Sequence, residues 1–262
     1  MSTLVVFHAH PDDEAIATGG TMAKAAAAGH RVVLVVATRG ERGEVAEGYL
    51  EPGEELWQRR VEETHAAAAV LGVSRVEFLG YVDSGMVGTP ENDDPACFWQ
   101  ADVDEAARRL ADILVDERAD VLTAYDENGV YGHPDHIQVH RVGVRAGELA
   151  GTPKVYLNTV NRDAARHAMA DAVAAGVSLP GDLRPEDFDL GVDADRITTT
   201  VDVVDLVDVK QKAMRCHASQ ISESSFFLSL PMEFFKIAFG RESYILVGAP
   251  SGTVETDVFA GL

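Results

Sequence analysis

Cysteine is scarce: Cys97 and Cys216 are the only two in 262 residues, far apart and without paired spacing. Such usage excludes a disulfide framework and a thiolate zinc cluster. Positive charge is also short. With 22 Lys and Arg against 43 Asp and Glu, the formal charge is -21 at pH 7. A chain this acidic repels a phosphate backbone over most of its surface, so no nucleic-acid partner is expected. The imbalance names no substrate, because the charge of a cleft can differ from the global one. Long apolar runs are missing as well. Near the start the most apolar stretch, Val32 to Ala37, is far too short to cross a bilayer, and no basic segment precedes an export-type apolar run. No membrane partner is therefore expected, and a cytoplasmic setting is. Four catalytic signatures are absent too: a complete G-x-G-x-x-G after the first strand, a G-x-S-x-G elbow, a Walker lysine motif and an H-E-x-x-H helix. Nucleotide-binding, serine-hydrolase and thermolysin-like readings lose ground together. Gly19 and Gly20 read instead as close helix packing.

What is present describes an ordinary globular chain. A hydrophobic fraction of 46% and a charged fraction of 25% exclude disorder as the default, and the length suits one domain with a substantial core. Thr3 to Phe7 read as a buried strand, Glu14 to Gly29 as an alanine-rich helix, and His30 to Thr38 as a second strand. A helix over Leu56 to Leu71 closes at Gly72, and Arg75 to Leu79 follow as a third strand. Asp102 to Glu117 repeat the helical pattern before a strand at Asp120 to Ala124. Pro134 suits the first turn of a helix over Asp135 to Leu149, and Lys154 to Asn158 form a further strand. This alternation predicts an α/β fold, a Rossmann-like three-layer sandwich whose mostly parallel sheet is covered on both faces. Chemistry belongs at the carboxyl ends of the strands. Beyond Asn158 the pattern weakens: Arg162 to Gly191 are less regular, Ile197 to Val203 are β-branched, Val204 to Ser219 look helical, and Tyr244 to Val247 suggest a last strand. With no repeat and no low-complexity linker, residues 159–262 are read as an extension of one domain spanning 1–262.

Two polar clusters stand where strands end. Phe7 to Glu14, FHAHPDDE, place two histidines and three acids at the exit of the first strand, and Tyr125 to His140, YDENGVYGHPDHIQVH, follow a later strand and enter a helix. Both project from the same edge of the inferred sheet, so they can meet in one cleft. Catalytic zinc needs three protein ligands and one position for water, and His10, Asp13 and His136 supply that set. The donors suit ferrous iron too; Zn2+ comes first because hydrolysis needs a Lewis acid and no redox change, with Fe2+ as the alternative. Asp12 is then placed to take a proton from the water that the metal activates. His133 is expected to protonate a leaving amine or stabilise an oxyanion, with Asp135 orienting it and favouring its imidazolium form. Tyr131 is expected to bond the developing oxyanion. His8 reads as structural, His140 as a competing but less suitable ligand one turn after His136, and Glu14 equally as a cap of the first helical turn or a substrate contact.

The strings HPDDE at 10–14 and GHPDH at 132–136 resemble the paired signatures of the LmbE-like, PIG-L-type de-N-acetylase family, with similarity running from about Leu4 through Tyr156. The resemblance implies zinc on His10, Asp13 and His136, a general base at Asp12, a catalytic histidine at His133, an oxyanion tyrosine at Tyr131 and a histidine-orienting carboxylate at Asp135. YVDSGMVGTP, residues 81–90, is similar to a YRDSGM-like loop in the deacetylase and amidase of mycothiol metabolism, with Val82 where an arginine is frequent. KQKAMRCHASQ, residues 210–220, is similar to a helix near the end of those enzymes. Arg60, Asp83, Ser84 and His217 are accordingly expected to contact substrate, where paired hydrogen bonds would discriminate hydroxyl patterns.

The expected substrate is a small N-acylated amino sugar such as N-acetylglucosaminyl-inositol. A mycothiol S-conjugate, another N-acyl amino sugar, or a nonenzymatic metal-containing sugar-binding role are the alternatives. Loss of Asp12 or His133 would have favoured the last, and neither is lost. The pattern suits an acidic monomer and a homo-oligomer alike.

Overall fold

A computed structural model describes residues 1–176 and 183–262 of the protein; residues 177–182, within the stretch read as less regular, lie outside them. Strand β1 (Thr3–His8) leads through a π-helical segment (Glu14–Thr18) into α1 (Gly19–Ala27), then β2 (Arg31–Thr38), α2 (Leu56–Leu71) and β3 (Arg75–Tyr81). Next come α3 (Val103–Asp116), β4 (Val121–Tyr125), a tight turn α4 (Gly129–Gly132), α5 (Pro134–Ala150) and β5 (Lys154–Thr159). The last part holds α6 (Arg162–Ala174), β6 (Thr199–Asp202), α7 (Val207–Cys216), the short α8 (Phe226–Ser229), α9 (Met232–Phe239) and β7 (Arg241–Leu246). No described helix is long and apolar enough to cross a membrane.

The sheet has seven strands in the order β3-β2-β1-β4-β5-β7-β6. β1 to β5 run parallel, while β7 is antiparallel to both β5 and β6. Alternation sends neighbouring residues of one strand to opposite cores. Leu4, Val6, Val32 and Leu34 meet Met22, Leu71, Met214 and Phe235 on one face, while Val5, Phe7, Val33 and Val35 meet Leu110, Leu114, Val139 and Val142 on the other. Both faces are covered, so the strands are continuous apolar runs, and each such side chain buried contributes roughly 1.5–3 kcal/mol.

Element ends follow local chemistry. Gly72 closes α2 in the left-handed conformation, with φ of 76°, and Asp102 caps α3 by accepting the Glu105 amide at 2.8 Å. His133 precedes Pro134, which starts α5 where a missing N–H does no harm. β1 pairs with β2 on one side and β4 on the other. The order in which strands are added therefore reverses at β1, and a crevice opens beyond the carboxyl ends of β1 and β4. Both polar clusters leave from those two strand ends.

Candidate active site

Tyr125, at the end of β4, stacks on His136 with ring centroids 4.6 Å apart. Its hydroxyl meets His8 Nδ1 at 2.5 Å, while His8 Nε2 meets Thr18 Oγ1 at 2.8 Å. Burial strips His8 of the water an imidazolium needs, and Asp13 and Glu14 only partly offset this, so its pKa falls to about 4. His8 is a neutral strut between the two clusters.

Beyond it, Asp13 Oδ2 lies 3.5 Å from His10 Nδ1 and 3.4 Å from His136 Nε2. Two donors each about 2.0–2.1 Å from one tetrahedral ion stand about 3.3–3.4 Å apart, so these separations fit a shared ion. Ligand atoms of His10, His133 and His136 also lie within 4.8 Å of one another, as do those of His10, Asp83 and Asp135. Electrostatics agrees: burial opposes protonation of His10, yet Asp83, Asp13 and Asp135 outweigh it and hold its pKa well above the usual histidine range. A pocket whose carboxylates trap a proton on one imidazole attracts a cation. His140, the alternative ligand, instead donates Nδ1 to the Tyr125 carbonyl at 2.9 Å.

Asp12 has φ of 99°, a left-handed conformation in a non-glycine residue. Such strain costs about 1–3 kcal/mol and persists only where the surroundings enforce it. Here the Asp12 carbonyl accepts the Ala15 and Ile16 amides at 3.0 and 3.2 Å, and its own amide donates to Glu14 Oε2 at 3.0 Å. Arg60 donates to Asp12 Oδ2 at 3.2 Å and to the Pro11 and Gly40 carbonyls at 2.5 and 3.0 Å. Burial raises the Asp12 pKa against the pull of Arg60, with Asp13 adding to the rise, to about 6. One carboxylate is thus poised to exchange a proton near neutrality beside another, Asp13, whose pKa lies well below the usual range because His136 and His10 outweigh its burial.

Tyr131 is carried on α4, where Val130 has φ of 65°. Asp126 anchors that turn: its Oδ1 accepts the Asn128 and Val130 amides, each at 3.0 Å, and its Oδ2 the Thr159 hydroxyl at 2.5 Å. The Tyr131 ring is about half exposed at 48%, with its hydroxyl 3.4 Å from His136 Nε2.

Several expected roles need correction. The Asp135 carboxylate does not face His133. It accepts from His10 Nε2 at 3.0 Å, from the Ser84 amide at 2.9 Å and from the Ser84 hydroxyl, which fixes the orientation of the His10 ring and leaves its Nδ1 facing Asp13. Only the Asp135 amide reaches His133, donating to Nδ1 at 3.1 Å. A neutral His133 then carries its proton on Nε2, and burial together with His10 and His136 lowers its pKa to about 4, against the opposing pull of Asp135 and Asp83. The imidazolium form is disfavoured. Arg60, Ser84 and His217 are all buried and face protein groups rather than the crevice: Arg60 holds Asp12, Ser84 bridges Asp135 and the Trp99 amide at 2.9 Å, and His217 Nε2 meets Glu14 Oε1 at 2.5 Å. Asp83 is buried too, with Oδ1 3.5 Å from His10 Nε2 and 2.9 Å from the Gly85 amide. Glu14 has both oxygens engaged by protein groups, the Asp12 amide and His217, and no side chain caps the helical segment it begins. Sequence reasoning missed Tyr125 and Asp126; their position inside the second polar string was the available signal.

The profile of the PIG-L family, GlcNAc-PI de-N-acetylase, matches residues 5–147. Among curated proteins, the chain is 43% identical to a 1D-myo-inositol 2-acetamido-2-deoxy-alpha-D-glucopyranoside deacetylase of Acidothermus cellulolyticus, covering 99% of this chain and 95% of that one. Its namesake in Thermomonospora curvata is 42% identical over 99% and 96% of the two chains. Among solved structures, the N,N'-diacetylchitobiose deacetylase from Pyrococcus horikoshii aligns with a TM-score of 0.62 and 23% identity, over 94% of this chain and 84% of that one. The fold is also that of a 4-carboxy-2-hydroxymuconate hydratase from Pseudomonas putida KT2440, with a TM-score of 0.59 and 20% identity over 95% and 98%. A scaffold shared by a deacetylase and a hydratase does not by itself choose the reaction.

Proposed function

The chain belongs to the PIG-L, GlcNAc-PI de-N-acetylase family, and from that premise we propose that it is a zinc-dependent deacetylase of 1D-myo-inositol 2-acetamido-2-deoxy-alpha-D-glucopyranoside. The observation that carries the chemistry is Asp13 Oδ2 lying 3.4–3.5 Å from His136 and His10, next to a strained Asp12. The substrate is supported by curated relatives at 42–43% identity over nearly the whole length. A cytoplasmic setting belongs to the same reading, in accord with two free thiols.

His10, Asp13 and His136 would hold the zinc, which supplies a Lewis acid for the acetyl carbonyl and for water when bound. Asp135 orients His10. Arg60 occupies Asp12 Oδ2, leaving Oδ1 to take a proton from the attacking water. As the C–N bond breaks, Asp12 returns that proton to the leaving nitrogen, so acetate and a free amino sugar depart. Tyr131 offers its hydroxyl, and neutral His133 its Nε2–H, to the oxygen on which negative charge develops.

Mass-resolved hydrolysis by the zinc-loaded protein tests the reading, with the N-acetylglucosaminyl-inositol compared against a mycothiol S-conjugate under matched conditions. Acetate and free amine from the first alone are expected. Preferential cleavage of the second would replace the deacetylase reading with an amidase acting on a larger acyl group.

A further inference from the structure

Glu14 and His217 are buried, titratable and unused by the mechanism above, with neither exposing any surface to solvent. Their contact spans most of the chain. His217 Nε2 lies 2.5 Å from Glu14 Oε1, and the other Glu14 oxygen takes the Asp12 amide at 3.0 Å. Among the described residues His217 Nδ1 has no partner, so the bond to Glu14 is the single polar contact they give the ring. Burying an imidazole for one bond is a poor way to fill space, because an apolar side chain would pack there without desolvation.

The position of His217 is itself fixed. It follows α7, where its carbonyl accepts the Gln220 and Ile221 amides at 3.0 and 2.8 Å. Two residues on, Ser219 donates its amide and hydroxyl to the two Glu63 oxygens at 2.8 and 2.6 Å. Glu63 lies on α2, the helix that also supplies Arg60 to Asp12. One helix therefore sets both supports of Asp12: Arg60 on its carboxylate, and the His217 loop on its amide through Glu14.

We infer that Glu14 and His217 are positioning residues for Asp12, holding its backbone at φ of 99° so that the free carboxylate oxygen faces the reacting water. The inference rests on the reading of Asp12 as general base. Without His217 the Glu14 side chain turns away, the Asp12 amide loses its acceptor, and the peptide relaxes toward negative φ, swinging the carboxylate. Misplacement of a reacting group by about 1 Å costs on the order of 100-fold in rate.

The test measures kcat, KM and zinc content of His217→Leu, His217→Gln and Glu14→Gln, each alone and combined with Asp12→Asn. Expected for His217→Leu is a kcat loss of about 10- to 100-fold with KM and zinc content unchanged. His217→Gln, whose amide nitrogen can donate to Glu14 Oε1, recovers most of the rate. In the Asp12→Asn background His217→Leu produces no further loss, because residues acting through one group are not additive. An equal loss in both backgrounds overturns the proposal, as does unchanged kcat in His217→Leu, or raised KM with intact kcat, which would return His217 to substrate contact. Glu14→Gln, which exchanges one acceptor for a donor, is judged by the same criteria if His217→Leu does not fold. Full turnover by Asp12→Asn would instead sink the general-base reading and the proposal with it; a normal Asp12→Asn defect beside an unaffected His217→Leu sinks the proposal alone.

Discussion

Adjacent carboxylates at Asp12 and Asp13 have opposite fates because their neighbours differ. Asp13 faces His10 and His136 and is held ionised, whereas Asp12 is buried against Arg60 with its pKa raised to about 6. The first is suited to holding a cation and the second to moving a proton. Replacing Asp12 with Asn should therefore leave zinc content intact and reduce kcat by about 100-fold or more, while His136→Ala should lose both zinc and turnover. Metal analysis beside initial rates separates the two, and full activity in Asp12→Asn would end the assignment. The Arg60 guanidinium opposes the effect of burial on Asp12, so Arg60→Gln should raise the Asp12 pKa further. With Asp12 as the proposed general base, activity needs the carboxylate, which exists above that pKa and is lost below it. The acid limb of kcat/KM should consequently move to higher pH in Arg60→Gln, and a limb that stays put or moves down would contradict the pairing seen at 3.2 Å.

At the scale of elements, regular strands and helices were legible wherever burial imposes a period. The helix read over Leu56 to Leu71 is α2 itself, because an apolar stripe and a terminal glycine mark both ends. α6 escaped notice because, of its thirteen residues, Ala172 alone is buried; an exposed helix carries no stripe. The helix expected from Glu14 begins with a π-helical segment over Glu14–Thr18, which apolar spacing cannot distinguish from an α-turn. The two polar strings were legible because the potential donors in each lie close together in sequence. Side chains assigned to substrate were misplaced for the converse reason: Arg60, Ser84 and His217 find partners 48, 51 and 203 residues away, a distance over which sequence gives no geometry. Gly20 shows how α1 docks on the last third of the chain. A Cβ there would lie 2.5 Å from Val203 Cγ2 and 2.6 Å from Val203 Cβ, while its amide donates to the buried Glu242 at 2.8 Å. Gly20→Ala should therefore lower stability by about 1–3 kcal/mol, read as a fall in the urea midpoint with unchanged slope. An unshifted midpoint would show that this junction yields freely.

Over the whole molecule, a long-range and a short-range effect oppose each other as pH falls. The net charge of -21 at pH 7 repels itself, and acidification toward the pI of about 4.7 relieves that repulsion and favours the compact state. His8 works the other way. Its pKa is about 4 in the folded protein against 6.5 for the free side chain, so between those values the unfolded chain binds a proton that the folded one does not. Stability from neutral His8 is fully present above pH 6.5 and is lost as pH falls toward 4. Surface repulsion is screened by salt, with a Debye length of about 3 Å at 1 M, but a buried imidazole is not. His10 contributes with the opposite sign, since its pKa is raised in the fold and its stabilisation is present below 6.5 and lost as pH rises through the folded value. A single melting curve therefore mixes the terms, and a comparison isolates His8. In metal-chelated protein at 1 M salt, the melting temperature of His8→Gln relative to the parent should rise steadily as pH is lowered from 6.5 to 4, since glutamine can still bond Tyr125 and Thr18 but has no proton to take up. A difference constant across that window would show that His8 titrates alike in folded and unfolded chains, and the strut joining the two polar clusters would then be open to water.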